Sequence, residues 1–258
     1  MDRRIISNTL ALAIVSFATV TGSAQDFRIE TEIFFGKSKE PTSENLTLFS
    51  GGVVYDFMLT GSNEIAIFDA TRERFVLLDP TQKKKLTLTS DLIIQFVTKL
   101  RVHEFQKKAP FFFAPEFDQT FDEKENSLTL ASPRMTYKVK GLRPEDTSAA
   151  VQYRKFADWY SRLNATIPGS MPPFPRLKLN EILAEKGLIP ERVELTVTPK
   201  KRLVQKKLEV TSRHLIIWQL SKRDREKIEK ANTYRASFQA VSFEEYRQIT
   251  SVASNRKN

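Results

Sequence analysis

The sequence predicts an α+β domain in which a curved antiparallel sheet is covered by amphipathic helices. Between residues 45 and 100, apolar side chains recur at every second position in several short runs, as they do in half-buried strands. Gly, Asn, Asp and Pro separate these runs at residues 50–52, 61–63 and 79–82. Links this short join antiparallel neighbours and cannot form parallel crossovers. An antiparallel meander is therefore expected.

The elements of the first half follow in order. Residues 27–35 alternate apolar and charged side chains before Gly36, which predicts a strand with one solvent-facing side. Five strands then lie between residues 46 and 88. Thr89 or Ser90 can cap a helix, and its apolar stripe is expected to pack on the sheet. That stripe comprises Leu92, Ile93, Phe96, Val97 and Leu100.

The second half mixes strands with helices. Strand alternation resumes at residues 117–122, 127–131 and 134–140. The clearest helical periodicity spans residues 148–163, and a shorter helix at 177–186 ends at Gly187. Between them, residues 167–175 include four prolines and are expected to form a linker or a lid. Strands at 193–197, 203–211 and 214–220, a charged helix at 222–231 and a closing segment at 238–246 complete the chain.

The N-terminus predicts export. Arg3 and Arg4 precede a short apolar run and small residues up to Ala24, which is typical of a secretory signal peptide spanning residues 1–24. The run is shorter than the ~20 residues that span a bilayer. Residues 25–258 are then a single exported domain, periplasmic or extracellular. It is not lipid-anchored, because Gln25 follows the cut and the chain has no Cys.

Net charge and motif content limit the classes of partner, cofactor and activity that the sequence predicts. Removal of Asp2, Arg3 and Arg4 lowers the formal charge from +10 to +9, which favours anionic envelope surfaces as partners. The aromatic residues near the basic clusters are not arranged as a stacking platform, so nucleic acid is not expected. His103 and His214 are far apart and there is no Cys, so no metal and no cofactor are predicted. No nucleophile elbow or phosphate-binding loop occurs, and a non-enzyme is predicted. An enzyme stays open as a third option, with no catalytic residue assigned.

One phrase resembles a known family. Residues 64–69 (EIAIFD), 75–80 (FVLLDP) and 84–88 (KKLTL) are similar to the middle strands of periplasmic lipoprotein-carrier domains of the LolA/LolB type. They also resemble uncharacterised exported bacterial proteins. The resemblance implies a strongly curved sheet, an open half-barrel with helices packed on its concave face. It also implies a cavity for acyl chains.

Two hypotheses from different classes follow. The first is a carrier of a lipid, a lipidated protein or another hydrophobic ligand, with an aromatic lining formed by Tyr55, Phe57, Phe75, Phe96, Phe111, Phe112, Phe113 and Tyr153. The same aromatic residues can instead fill an ordinary core. Because neighbours on a strand alternate faces, one of the three consecutive Phe residues is expected to be exposed or to lie across the mouth. The second hypothesis is a non-enzymatic structural or interaction protein that binds anionic envelope components. The sequence predicts no oligomeric state.

Overall fold

The computed structural model describes residues 25–102, 109–198 and 207–248. The predicted signal peptide and His103 lie outside them. The strands are β1 Phe27–Phe35, β2 Ser43–Ser50, β3 Val53–Met58, β4 Ile65–Asp69, β5 Arg74–Asp79, β6 Lys84–Thr89, β7 Asp118–Asp122, β8 Ser127–Ala131, β9 Met135–Leu142, β10 Ile189–Val197, β11 Leu208–Ile217 and β12 Gln239–Ala240. The helices are α1 Ser90–Val102, α2 Thr147–Asn164, α3 Phe174–Glu185 and α4 Lys222–Ser237, with a short 3₁₀ helix at Pro110–Phe112.

The twelve strands of the described ranges form one sheet, in the order β12-β6-β5-β4-β3-β2-β1-β11-β10-β9-β8-β7. The meander predicted from the turn residues is confirmed, since β2 to β6 pair successively and antiparallel. Asn63, Glu73 and Lys83 adopt positive φ in its turns. β1 lies in the middle and pairs with both β2 and β11. Within the described chain, β12 and β6 form the one parallel pair.

The predicted strongly curved half-barrel, with all helices on a concave face, is wrong. The sheet is mostly antiparallel and is neither closed nor strongly curled. Helices pack on both of its faces, and every residue of β4 is buried. β3, β4 and β5 carry apolar side chains on both faces of the sheet, so each face of this region needs a covering layer. A half-barrel would cover one face only.

The two faces are named here by the helices on them. On the α2 face, α1 and α2 pack against one face of β1 to β6, with Phe49, Phe68 and Phe156 in the first core. On the same face, α3 packs against β8, β9 and β10 and forms the second core, which includes Leu130 and Leu183. On the α4 face, α4 covers the opposite side of β2 to β5. Its core consists of Leu46, Leu48, Tyr55, Phe57, Ile65, Ile67, Val76, Leu78, Leu220, Ala231 and Phe238.

The C-terminal segment passes from one face to the other. After α4, the two residues of β12 pair with Lys84 and Lys85 at the edge of β6. Residues 243–248 are helical, and Tyr246 is fully buried in the first core on the α2 face. Residues 238–248 therefore wrap around the β6 edge of the sheet.

Two predicted elements differ from the structure. β11 is one continuous strand that spans most of the two strands expected at residues 203–211 and 214–220, and residues 203–206 lie outside the described chain. α3 begins at Phe174, inside the Pro-rich stretch, because Pro175 occupies the first turn, where no backbone donor is lost. Every described helix falls short of the combined length and hydropathy needed for a bilayer crossing.

Candidate ligand-binding site

A strip of half-buried side chains separates the two cores on the α2 face. Strand pairing aligns its first row, with His214 opposite Thr31, Thr31 opposite Asn45, and Asn45 opposite Met58. In the next row Ser212 lies opposite Ile33. We call the half-buried residues Thr31, Ile33, Asn45, Met58, Val210, Ser212 and His214 the central strip. It crosses β11, β1, β2 and β3.

The central strip is bounded by fully packed side chains. Ile29 precedes Thr31 on the same face of β1 and is buried in the first core. Val193 lies opposite Ser212 on β10 and is buried in the second core. Val210 packs against the second core from the strip itself. The strip is therefore an incompletely covered surface with closed packing on two sides.

His214 lies at the β11 end of the first row of the strip and contacts two hydroxyl groups. Its Nδ1 is 2.9 Å from Thr31 Oγ1, and its Nε2 is 3.0 Å from Ser212 Oγ. Burial lowers the pKa of His214 to about 3, and the nearby positive charge of Arg176 adds to the effect. The imidazole is therefore neutral near pH 7. A base this weak is poorly matched to proton transfer at that pH, but it can exchange hydrogen bonds with a ligand.

Asp56 lies opposite Thr47, in the row next to Asn45 and Met58 and beneath α2, and hydrogen-bond donors surround its carboxylate. Thr47 Oγ1 donates to its carboxylate at 2.7 Å, Asn45 Nδ2 at 2.9 Å and Tyr160 OH at 2.9 Å. Burial raises the pKa of Asp56, and these hydrogen bonds oppose the rise. The carboxylate fixes α2 to β2 and β3 and has little room for an additional partner.

Arg176 projects from the first turn of α3 and is half-buried. Its Nη2 donates to Tyr153 OH at 3.2 Å, and its Nε donates to Asn180 Oδ1 at 3.0 Å. Its charge also acts on Tyr137, whose pKa burial raises to about 12 against the opposing effect of Arg176. A cation thus lies near both the second core and the central strip.

The aromatic residues predicted to line a cavity occupy separate places. Tyr55 and Phe57 are buried on the α4 face, whereas Phe75 and Tyr153 are buried in the first core on the α2 face. Phe96 is exposed on α1, with its ring centroid 5.3 Å from that of Phe243.

The three consecutive Phe residues form a helical turn. Phe111 and Phe112 lie in the 3₁₀ helix, half-buried against the second core, and Phe113 is buried against Phe174 with 5.5 Å between ring centroids. None of the three is exposed. The expectation of an exposed Phe assumed alternating strand residues, and the prolines produce a 3₁₀ turn instead.

None of the residues of the central strip is among the lining residues predicted from the sequence. Thr31 and His214 are 183 positions apart and meet only through the pairing of β1 with β11. A signal was present in β1, where Thr31 interrupts the apolar face of Phe27, Ile29 and Ile33. Within the described chain, no three His, Cys, Asp or Glu residues are placed to hold a metal ion.

A separate solvent-open cleft of about 470 Å³ lies between the start of α2 and the end of α3. It is lined by Arg143, Thr147, Ala150, Val151, Arg154, Ala184, Glu185, Lys186 and Gly187. Arg143 and Arg154 are already engaged there, by the Lys186 carbonyl and by Asp158 respectively. The lining of this open cleft combines apolar and charged side chains, and both of its arginines already have partners.

Neither a protein-family model nor a curated protein matches this chain. The resemblance to lipoprotein carriers therefore stays a prediction, and the function is inferred from the site.

Proposed function

We propose that this protein is a non-enzymatic, exported envelope protein that binds or carries an amphiphilic ligand, a lipid or a lipidated partner, at the central strip. The observation that carries the proposal is the composition and burial of the strip. Ile33, Met58 and Val210 offer apolar contact beside the polar groups of Thr31 and Ser212. Each methylene that a ligand removes from water on such a surface contributes roughly 0.8 kcal/mol.

The titratable groups favour binding over acid–base chemistry. His214 has its pKa lowered to about 3, and its two ring nitrogens already contact hydroxyl groups. Asp56 is enclosed by three donors. A general base needs a pKa near the working pH and access to the substrate proton, and neither group has both.

The test is ligand binding by strip-filling variants. The full chain, expressed with its own N-terminus, is examined by native mass spectrometry for co-purifying lipid and then titrated with a fluorescent fatty acid. Ile33→Trp fills part of the strip and is expected to weaken uptake at least tenfold. Leu215→Trp is the matched control, because Leu215 lies on the other face of β11 and is 58% exposed. A second strip variant, Met58→Trp, covers the case in which Ile33→Trp fails to fold. A native mass spectrum that shows no bound lipid, together with no saturable binding of the fluorescent fatty acid, would refute the proposal.

A row of cations on the α4 face favours a second candidate, binding to anionic envelope components. Lys140 lies opposite Arg192, and Arg192 lies opposite Arg213, so three exposed cations align across β9, β10 and β11. Like charges placed directly opposite are unfavourable to the sheet. Lys140 and Arg192 already pair with Glu125 and Glu194, but such exposed pairs are weak, so an anionic partner can still add favourable contacts. Phosphatidylglycerol vesicles should retain the protein more strongly than phosphatidylcholine vesicles, and the retention should fall with salt. Retention that is equal at low and high salt would exclude this candidate.

A further inference from the structure

Arg176 is a half-buried cation whose hydrogen-bond acceptors supply no negative charge. Its two hydrogen-bond acceptors, Tyr153 OH and Asn180 Oδ1, are both neutral. In the described ranges no Asp or Glu forms an ion pair with it. Asp158 is nearby but accepts from Asn180 at 2.9 Å and pairs with Arg154 at 3.7 Å. By contrast, Arg28 is paired with Asp224 at 3.0 Å.

The uncompensated charge lies beside the central strip. It lowers the pKa of His214, second to burial, and it acts on Tyr137 on β9. Arg176 extends from α3, which forms the second core, and its hydrogen bond to Tyr153 OH joins it to the first core, so it lies between the two cores that the strip separates. These neighbours are neutral at pH 7, so nothing among them cancels the charge.

The chemistry of a guanidinium selects the missing partner. A half-buried cation without an anion is unfavourable because it has lost part of its hydration. The guanidinium has N–H donors beyond the two that its present contacts use, and its planar fork matches the paired oxygens of a carboxylate or a phosphate. The Ser212 hydroxyl can donate to a further oxygen of such a group. A neutral ligand would leave the charge uncompensated.

We infer that the ligand of the central strip has an anionic oxygen head group that pairs with Arg176, while its apolar chain lies along Ile33, Met58 and Val210. This inference rests on the proposed function and specifies its ligand class. A free fatty acid and an alkyl phosphate share the required chemistry. A fatty alcohol of equal chain length has the same tail and lacks the charge.

The experiment measures displacement of a fluorescent fatty acid from the full chain by hexadecanoate, hexadecyl phosphate and hexadecanol. The wild type is expected to bind the better of the two anions at least tenfold more tightly than the alcohol, and the ranking of the anions identifies the head group. Arg176→Gln should remove this preference by weakening only the anions, and Arg176→Lys should retain part of it. Arg223→Gln, which removes an exposed cation of α4 on the other face, is the control and should leave the preference unchanged.

The outcomes separate the inference from the proposed function. Equal binding of all three ligands to the wild type, unchanged in Arg176→Gln, would overturn the head-group inference and leave the proposed function in place. Binding of none of them, with no displacement of the probe, would count against the proposed function itself. Circular dichroism and the melting temperature verify folding, and Arg176→Lys provides the test if Arg176→Gln does not fold.

Discussion

The guanidinium of Arg28 on β1 donates from Nη1 to both carboxylate oxygens of Asp224 on α4, at 3.1 and 3.0 Å. Asp224 is 1% exposed and also accepts from the backbone N–H and the hydroxyl of Ser221, with which it forms a capping box. The Asp224 carboxylate thus takes part in capping the start of α4 and also binds this helix to β1, the middle strand of the sheet. This contact anchors the helix layer that the half-barrel prediction lacked.

Replacing Asp224 with Asn should lower the free energy of unfolding by roughly 1.5–3 kcal/mol at pH 7, the range for hydrogen bonds to charged groups. Burial raises the pKa of Asp224, but the Ser221 and Arg28 contacts outweigh it and hold the pKa below its usual 3.8. The stabilisation is therefore present above pH 3.8 and is lost as the pH falls through the folded-state pKa. Urea unfolding at pH 7 and pH 2.5 measures this difference.

The control for Asp224 is Glu125→Gln, which removes the exposed ion pair between Glu125 and Lys140. Exposed pairs contribute about 0–1 kcal/mol, so little change is expected. Equal losses for the two variants, or a loss for Asp224→Asn that is the same at both pH values, would contradict the assignment.

His214 should stay neutral in the folded protein throughout the physiological range. Its folded pKa of about 3 lies below the ordinary 6.5, so the unfolded chain binds the extra proton first. The free energy of unfolding does not depend on this group above about pH 6.5. It decreases as the pH falls toward 3, by at most about 1.4 kcal/mol per pH unit for one proton. His214→Gln should flatten this decline in urea titrations between pH 7 and 4. An imidazole NMR resonance that titrates near pH 6.5 in the folded state would refute the prediction.

Tyr160→Phe removes one of the donors to Asp56 and should cost roughly 1–3 kcal/mol at pH 7. Burial raises the pKa of Asp56, so its ionisation destabilises the fold as the pH rises above 3.8, and the three donors limit this effect. Without Tyr160 the folded-state pKa rises further, and the cost of the substitution should grow between pH 4 and pH 7. Thermal melts across this range measure it.

Tyr55→Phe provides the comparison for Tyr160, because the Tyr55 hydroxyl donates to the neutral Asn232 amide at 3.3 Å. Its cost should be small and independent of pH. A Tyr160→Phe cost that does not vary with pH would show that the Asp56 charge is not what Tyr160 stabilises.

Two phenylalanines distinguish core from surface among the predicted lining residues. Phe113 is 7% exposed and packs on Phe174, so Phe113→Ala should lower the free energy of unfolding by roughly 3–5 kcal/mol. Phe96 is 40% exposed, and Phe96→Ala should cost less than about 1 kcal/mol. Chemical denaturation of both variants measures the contrast, and comparable losses would contradict the burial of Phe113.

The local pattern predicted the strands well and the covering layers poorly. Gly51, Gly52 and Asn63 mark the first turns of the meander because Gly and Asn adopt positive φ at low cost, whereas Glu73 and Lys83 adopt it in the later turns without such a signal. The charged helix predicted at residues 222–231 is present as α4 and extends to Ser237, but its charged sequence concealed the few apolar contacts made by Ile228, Ala231 and Tyr234. An amphipathic stripe that short gives little periodic signal, so the second covered face was not foreseen.

The candidate site depends on register, and register is set by the whole sheet. His214 meets Thr31 because β1 and β11 pair at one alignment of strands that are distant in sequence. Arg176 approaches the same region only after α3 packs on β8, β9 and β10. Single-sequence patterns report which residues share an element, and they contain no information about which distant elements become neighbours.

The passage of the C-terminal segment around β6 links the two helix layers into one cooperative unit. A short stretch of chain, including β12, joins α4 to Tyr246 in the core on the opposite face, so displacement of α4 strains the packing of Tyr246. Partial unfolding of one layer would thus expose apolar surface on both sides of the sheet at once. A sheet with separately attached layers can melt in steps, whereas this connection favours a single transition.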